Sequence, residues 1–487
     1  MGFDGHEAFK LAESGNPEEA LKICGDRLTE NPDDSLAMFV AAYALSKGSK
    51  WGIAYNLLLR AASISPHKYE IHNNLANCCI NMLRLEEAER HIKRALSIEP
   101  KSKPGLNNMA LLRVYDCRPE DAIKYAKRSL EIDPTQWDVS ETYGYANLMM
   151  GNWAEGWGGY EKMIGFSKAR PWKPLDGLER WDGEPGQTVH IRGEQGIGDE
   201  IYFASILEDA SKDIKIVFEC DHKLEGLFKR SFPDMEIHGT RFEGNRKWAN
   251  NRDKIDASLL IGSLALHYRR TTESFPGKPY LIADDARRLQ WRVLLDTLPG
   301  KKIGISWTGG LKNTFMSRRS VDLETLLPLL KTPGVTWVSL QYKNCKEELD
   351  AFEAKHGIKI HHWSRGAESR DYDDVAALVM ELDNVVSVTT AVIHLCGALG
   401  KECHVMVPSR PRWFYGLKGR SIPWYKSVVL HRQTGEWKKV VEEIRAELFT
   451  PTPLEECATS SASKESPPAT KHQSTKVAIQ TTEAATQ

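Results

Sequence analysis

Pro32, Pro66, Pro100 and Pro134 stand 34 residues apart, as do Ala8, Ala42, Ala76 and Ala110, and again Ala20, Ala54, Ala88 and Ala122. A fixed period constrains a fold more tightly than any propensity. Each unit is one supersecondary element that cannot bury its apolar face alone, so the units must stack into a solenoid with a concave face. The alanines let paired helices approach closely, and each proline ends the second helix of its unit. A fifth, divergent unit places Gly144, Gly151, Gly156 and Tyr160 near the corresponding positions.

The period and its small residues match the tetratricopeptide helix–turn–helix. From about residue 186 the pattern changes to short β-rich runs alternating with helical ones, which predicts parallel sheets with crossover helices. Thr188–Arg192, Ile214–Cys220 and Ile255–Ile261 form a first set of expected strands. A helical stretch, Asp284–Leu298, separates them from a second set: Lys302–Trp307, Val335–Gln341, Ile358–His362, Asn384–Val388 and Cys403–Val407. The expected organisation is an α-solenoid over 1–165, one α/β unit over 166–285, a linker helix over 286–300 and a second α/β unit over 301–450. The tail, 451–487, lacks apolar periodicity and is expected to be disordered.

Composition narrows the partners. A net charge of -1 over 487 residues gives no global attraction to nucleic acid or to an anionic membrane, so any phosphate binding must be local. The start, Met1-Gly-Phe-Asp-Gly-His-Glu, lacks a basic and apolar leader pattern, and no run approaches the length of a membrane span; a cytoplasmic location is expected. Nine cysteines show no zinc-site spacing and are expected to be free thiols.

Gly193-Glu-Gln-Gly196-Ile-Gly198-Asp199-Glu200 lies between an expected strand and an expected helix. Glycines there tolerate positive φ and let backbone N–H groups face a ligand, and the helix N-terminus favours negative charge. The spacing is neither that of a dinucleotide fingerprint nor that of a P-loop. Asp199 is either an N-cap or a base at the mouth of a site. Glu194 is a second candidate in the same loop.

Trp153-Ala-Glu-Gly-Trp-Gly-Gly-Tyr160, Trp181-Asp-Gly-Glu-Pro-Gly186 and this loop resemble the junction in bacterial proteins that fuse tetratricopeptide repeats to a family-nine-like glycosyltransferase domain, relatives of lipopolysaccharide heptosyltransferases. Gly304-Ile-Ser-Trp-Thr-Gly309, Arg318-Arg-Ser320, Val338-Ser-Leu-Gln341, Ser387–Lys401 and Pro423-Trp-Tyr425 resemble later blocks of that family in the same order, over roughly 150–448. The resemblance implies a GT-B pair of Rossmann-like units and transfer of a sugar from a nucleotide-sugar to a hydroxyl acceptor, protein or glycan, with no cofactor. It makes Asp199 the acceptor base in a loop with Gly196 and Gly198. It assigns the turn Thr389-Thr390-Ala391, with His394, to the donor. Thr389 stands where the family usually has Asp, which favours the rival reading of a non-catalytic repeat scaffold with a degenerate transferase domain. His394 is open between donor contact and an ordinary helix histidine.

Thr308, Lys312, Arg318 and Arg319 follow the first strand of the second unit. They suit a leaving diphosphate, which cations can neutralise without metal, or form a solvated basic loop. Asp371-Tyr-Asp-Asp374 precedes a helix and reads as a cap, so no metal ligands are expected. Trp413-Phe-Tyr415 and Trp424-Tyr425 either stack on a ligand or belong to the core. Asn74 and Asn108, 34 apart, suit peptide backbone on the concave face, although Asn is also ordinary at this place in a repeat.

Overall fold

A computed structural model of the protein describes residues 4–167, 170–175, 177–242, 246–310, 316–367 and 371–449. Lys312 and the tail, 451–487, lie outside the described residues. The first third is a solenoid of tetratricopeptide type, five antiparallel helix pairs: α1 (Gly5–Glu13), α2 (Pro17–Glu30), α3 (Ser35–Lys47), α4 (Trp51–Ile64), α5 (Tyr69–Asn81), α6 (Leu85–Ile98), α7 (Lys103–Tyr115), α8 (Pro119–Ile132), α9 (Trp137–Met150) and α10 (Trp153–Glu161). The second helices begin at 17, 51, 85, 119 and 153, so the 34-residue period is carried into the backbone. Both alanine rows are buried to 1% exposure or less, which is why the small side chain recurs. In the fifth pair glycine replaces both alanines. A Cβ on Gly144 would lie 2.6 Å from the backbone N of Tyr160, so α9 and α10 pack closer than a methyl allows.

A second regularity sits in the turn within each pair. Gly15, Ser49, Leu83, Cys117 and Gly151 all have positive φ, 34 residues apart, and three of the five carry a side chain in the left-handed region.

Two parallel sheets follow. The first contains β1 (Glu179–Arg180), β2 (Thr188–Arg192), β3 (Lys215–Glu219), β4 (Glu236–His238) and β5 (Ala257–Leu260), in the order β1-β5-β2-β3-β4. The second contains β6 (Lys301–Ser306), β7 (Val335–Ser339), β8 (Ile360–His361), β9 (Asn384–Val388), β10 (Cys403–Val407) and β11 (Val428–Arg432), in the order β11-β10-β9-β6-β7-β8. In each sheet the chain steps outward one way and then returns to build the other side. The reversal lies between β2 and β5 in the first sheet, and between β6 and β9 in the second. Ligands of open parallel sheets bind in the crevice at such a reversal, beyond the carboxyl ends of the strands. The linker helix Asp285–Asp296 is capped by Asp284, whose carboxylate accepts from the Arg287 N–H at 2.9 Å.

The solenoid is welded to the sheets through its last pair. The Trp157 indole N–H donates to the Arg269 carbonyl at 2.8 Å, and the Trp153 indole N–H to the Thr272 hydroxyl at 3.0 Å. Trp157 and Trp413 meet edge to face with centroids 5.6 Å apart. Arg410 pairs with Asp116 of the fourth pair at 3.3 Å. Trp413, Phe414, Tyr415, Trp424 and Tyr425 are all buried in this junction, so most of that aromatic surface is core. The eight described cysteines are free thiols, all but Cys117 buried. No helix among the described residues is long and apolar enough to cross a membrane.

Candidate functional site

The glycine loop leaves β2 and opens α11 (Ile197–Ala204). None of its three glycines has positive φ; that conformation falls on Gln195, at φ 59°, whose side-chain amide donates to the Tyr160 hydroxyl of the solenoid. The glycines serve close approach instead. A Cβ on Gly193 would meet the Glu200 carboxylate carbon at 2.6 Å. One on Gly198 would meet the His394 ring at 3.1 Å and the Ala391 Cα at 3.3 Å. Gly198 therefore lets the N-terminus of α11 abut that of the Ala391–Leu399 helix, which is the corresponding element of the second sheet. Two positive helix ends face one cleft.

Behind the loop, every charge is matched. Glu194 is 2% exposed and accepts from the Arg170 guanidinium at 2.9 Å and from the Gly262 N–H at 2.8 Å. Arg170 is wholly buried, donates to the Ser263 hydroxyl at 3.0 Å and the Tyr160 carbonyl at 2.9 Å, and lies over the Tyr160 ring. With its lone pairs so engaged, Glu194 is an anchor, which corrects its reading as a second base. Glu200 is likewise buried, paired with Arg241, and accepts from the Asp221 N–H at 2.9 Å. Arg241 in turn donates to the Gln195 carbonyl at 2.7 Å.

In front of the loop the arrangement differs. Gly196, and not Asp199, is the N-cap of α11; Asp199 stands three residues on and one of its oxygens accepts from the Gly196 N–H at 3.0 Å, closing the start of the helix, and the residue is half-exposed. This bond leaves the other oxygen available to a hydroxyl, so it is compatible with the base reading. Burial holds the Arg319 guanidinium below its ordinary value, whereas Arg412, which is exposed, is held above its own by the charge of Asp199. Arg319 donates through Nε to the Thr389 hydroxyl at 3.0 Å and also reaches the Thr389 carbonyl. Thr390 caps the Ala391–Leu399 helix by accepting from the Val392 N–H. His394 is 8% exposed, and its Nδ1 has no hydrogen-bond partner among the described residues. Burial, with the nearby positive charge of Arg319 and Arg412, pushes its pKa down to about 3. It is a neutral imidazole with one nitrogen left open.

Beside this cleft lies a cavity of about 400 Å³. Arg318, Arg319 and Thr389 line it from the loops after β6 and β9, and Pro408, Arg410, Arg412 and Trp413 from the loop after β10. Tyr115 of α7 with Glu141 and Tyr145 of α9 close it from the solenoid. Among the described residues neither Arg319 nor Arg412 pairs with a carboxylate within 4.0 Å.

The remaining sequence candidates fall elsewhere. The backbone of Thr308 is clamped by the Gln341 side chain, which accepts from its N–H and donates to its carbonyl, both at 3.2 Å. Asp371 caps the Tyr372–Glu381 helix, while Asp373 pairs with Arg230 at 2.6 Å and Asp374 with Arg365 at 2.9 Å. Asn108 donates to the Asn73 side chain at 2.8 Å, and Asn74 to the Glu70 carbonyl one turn back at 2.9 Å. These amide donors are engaged within the solenoid, which weakens the case for peptide capture. Arg410 and Arg412 escaped the sequence reading, although a basic Arg-Pro-Arg after a strand carries the same signal as the loop after β6. Glu141 and Tyr145 had no local motif. Only the docking of the solenoid brings them to the sheet.

No family model matches the chain. Over 323 residues it is 33% identical to Protein FlbA of Caulobacter vibrioides, a match covering 62% of this chain and 53% of that protein. The chain thus spans about half the length of this curated relative. Solved structures similar to the chain include TTC0263, a thermophilic tetratricopeptide-repeat protein of Thermus thermophilus. It is 19% identical, with 33% of this chain and 89% of that one covered and a TM-score of 0.30. MamA of Desulfovibrio magneticus RS-1 is 14% identical, with 32% and 88% covered and a TM-score of 0.28.

Proposed function

We propose that the chain is a glycosyltransferase of GT-B organisation that moves a sugar from a nucleotide-sugar to a hydroxyl acceptor. The observation that carries this reading is the pair of guanidiniums without a carboxylate partner, Arg319 and Arg412, set where two helix N-termini converge at the reversal of the second sheet. A departing nucleoside diphosphate gains negative charge as the glycosidic bond breaks, and preorganised donors in a partly dry cleft stabilise that charge most. Asp199 sits on the opposite wall, with an oxygen free to orient or deprotonate the acceptor. The neutral His394 can donate or accept one hydrogen bond without adding charge. The repeats remote from the cleft give a surface suited to a protein partner, and the acceptor is a protein or a glycan.

Thermal shift with a panel of nucleoside diphosphates tests this reading. One held at 100 times its Kd should stabilise the protein by about 2.7 kcal/mol. No shift with any of them would favour the rival scaffold, for which Thr389 in place of Asp is the motive.

A further inference from the structure

The solenoid does more than hold a partner at a distance, because its fourth and fifth pairs supply a wall of the cavity itself. Glu141 projects from α9 into a space that arginines line from the other side. Within one cavity, opposite charges that met would form a pair, yet among the described residues Glu141 has no cation within 4.0 Å. The open volume keeps acid and guanidiniums apart. Burial pushes the Glu141 pKa upward, and the Tyr145 hydroxyl, one turn along the helix, partly offsets this. Tyr145 is in turn stacked on Trp413, 6.5 Å between centroids, so this wall is fixed against the second sheet rather than swinging free.

A ligand that satisfies both walls carries an anion at one end and hydroxyl donors at the other. A carboxylate can only accept, so it repels phosphate and attracts paired hydroxyls. We propose that Glu141 is a specificity-determining residue which accepts hydrogen bonds from the ribose hydroxyls of the nucleoside diphosphate, making the solenoid part of the donor site. The inference rests on the donor reading above. Phosphate goes to Arg319 and Arg412, ribose to Glu141, and the aromatic rings of Tyr115, Tyr145 and Trp413 flank the base. The solenoid could then not be removed without losing donor affinity.

The test uses the full chain and its Glu141→Gln variant, with three probes: the ribonucleoside diphosphate that binds best in the panel, its 2′,3′-dideoxy analogue, and inorganic pyrophosphate. Calorimetry should show the ribonucleotide weakened on the order of 10- to 100-fold in the variant, the size of a lost hydrogen bond to a charged group. The dideoxy analogue should bind both proteins equally weakly. Pyrophosphate should bind both alike, which also certifies that the variant is folded. Equal ribonucleotide affinity in the two proteins would overturn the role of Glu141 while leaving the donor site standing. If the wild-type chain binds pyrophosphate but no nucleoside diphosphate, the donor reading falls and this inference with it.

Discussion

The two sheets reverse direction at equivalent places, and the chain treats the two crevices in opposite ways. Between β2 and β5 the crevice is filled: Glu194 enters it, meets the buried Arg170 and takes the Gly262 N–H. Between β6 and β9 it is left open, lined by Arg319 and Thr389 and continuous with a cavity. A fully paired buried charge specifies geometry, whereas guanidiniums without a carboxylate partner at an open cleft are left available to an anion. The first reversal is therefore scaffold that sets the glycine loop, and the second is where the proposed function puts the donor.

The largest test of this contrast removes the plug. Glu194→Gln leaves the Arg170 guanidinium buried without its counter-charge, and breaking such a pair costs about 3–5 kcal/mol. Urea unfolding should show that loss, with a lower midpoint and an unchanged slope. A loss of less than about 1 kcal/mol, well below the cost of a broken buried pair, would mean that the filled crevice is not scaffold.

On the open side, stability and activity should separate. Asp199→Asn keeps a side-chain oxygen that can accept from the Gly196 N–H at the start of α11 but removes the group that could take a proton. Turnover should fall by about 10²–10⁴-fold while melting temperature and donor affinity hold. Asp199→Ala should add about 1 kcal/mol of instability from the lost bond to the Gly196 N–H. Full transfer activity in a folded Asn variant would reduce Asp199 to this structural bond.

Legibility differed between the two crevices for a physical reason. The period of 34 announced the solenoid, and runs such as Thr188–Arg192, Asn384–Val388 and Cys403–Val407 form strands with the same bounds, because burial on both faces leaves an uninterrupted apolar signature. The strands missed, β1, β4 and β11, lie at sheet edges; β1 and β4, with two and three residues, are too short and polar to show such a signature. Residues that act through local backbone were partly legible: Asp371 is the helix cap that its place before a helix predicts, while Asp199 stands third in α11 and bonds back to the Gly196 N–H. What one sequence could not disclose was pairing across long separations. Glu194 looked like a free acid until Arg170 was placed against it, and nothing marked Glu141 until α9 met the second sheet. The glycine loop failed in a subtler way, because close approach and positive φ both call for small residues and only coordinates separate them.

A titration should distinguish the open crevice at intermediate magnitude. His394 is held down to about 3 in the fold, against about 6.5 when unfolded, so the unfolded chain takes up the proton first as pH falls. The neutral form's contribution is fully present above about 6.5 and is lost progressively toward about 3, amounting to about 2 kcal/mol at pH 5 from this one group. His394→Gln should flatten that part of the stability profile between pH 7 and pH 5, and an unchanged profile would mean that the ring is solvated rather than enclosed.

The smallest effect concerns strain, and it sharpens the contrast by comparing backbone held for a purpose with backbone that is merely tolerated. Gln195 and Ser49 are both in the left-handed region, at φ 59° and 58°. Ser49 is exposed in a solenoid turn whose homologous positions include Gly15 and Gly151, and its side chain makes no hydrogen bond among the described residues. Ser49→Gly relieves about 1–2 kcal/mol of left-handed strain and gives back part of it through the freer unfolded chain, for a net gain of up to about 1 kcal/mol. Gln195→Gly relieves the same strain but gives up the bond to Tyr160 that ties the glycine loop to the solenoid, so the gain should be absent and donor binding weaker. Melting curves and nucleotide affinity for the two variants, measured side by side, check this. Equal stabilisation with unchanged affinity in both would show that the Gln195–Tyr160 link holds nothing in place, and that the solenoid's grip on the loop rests on Arg170 alone.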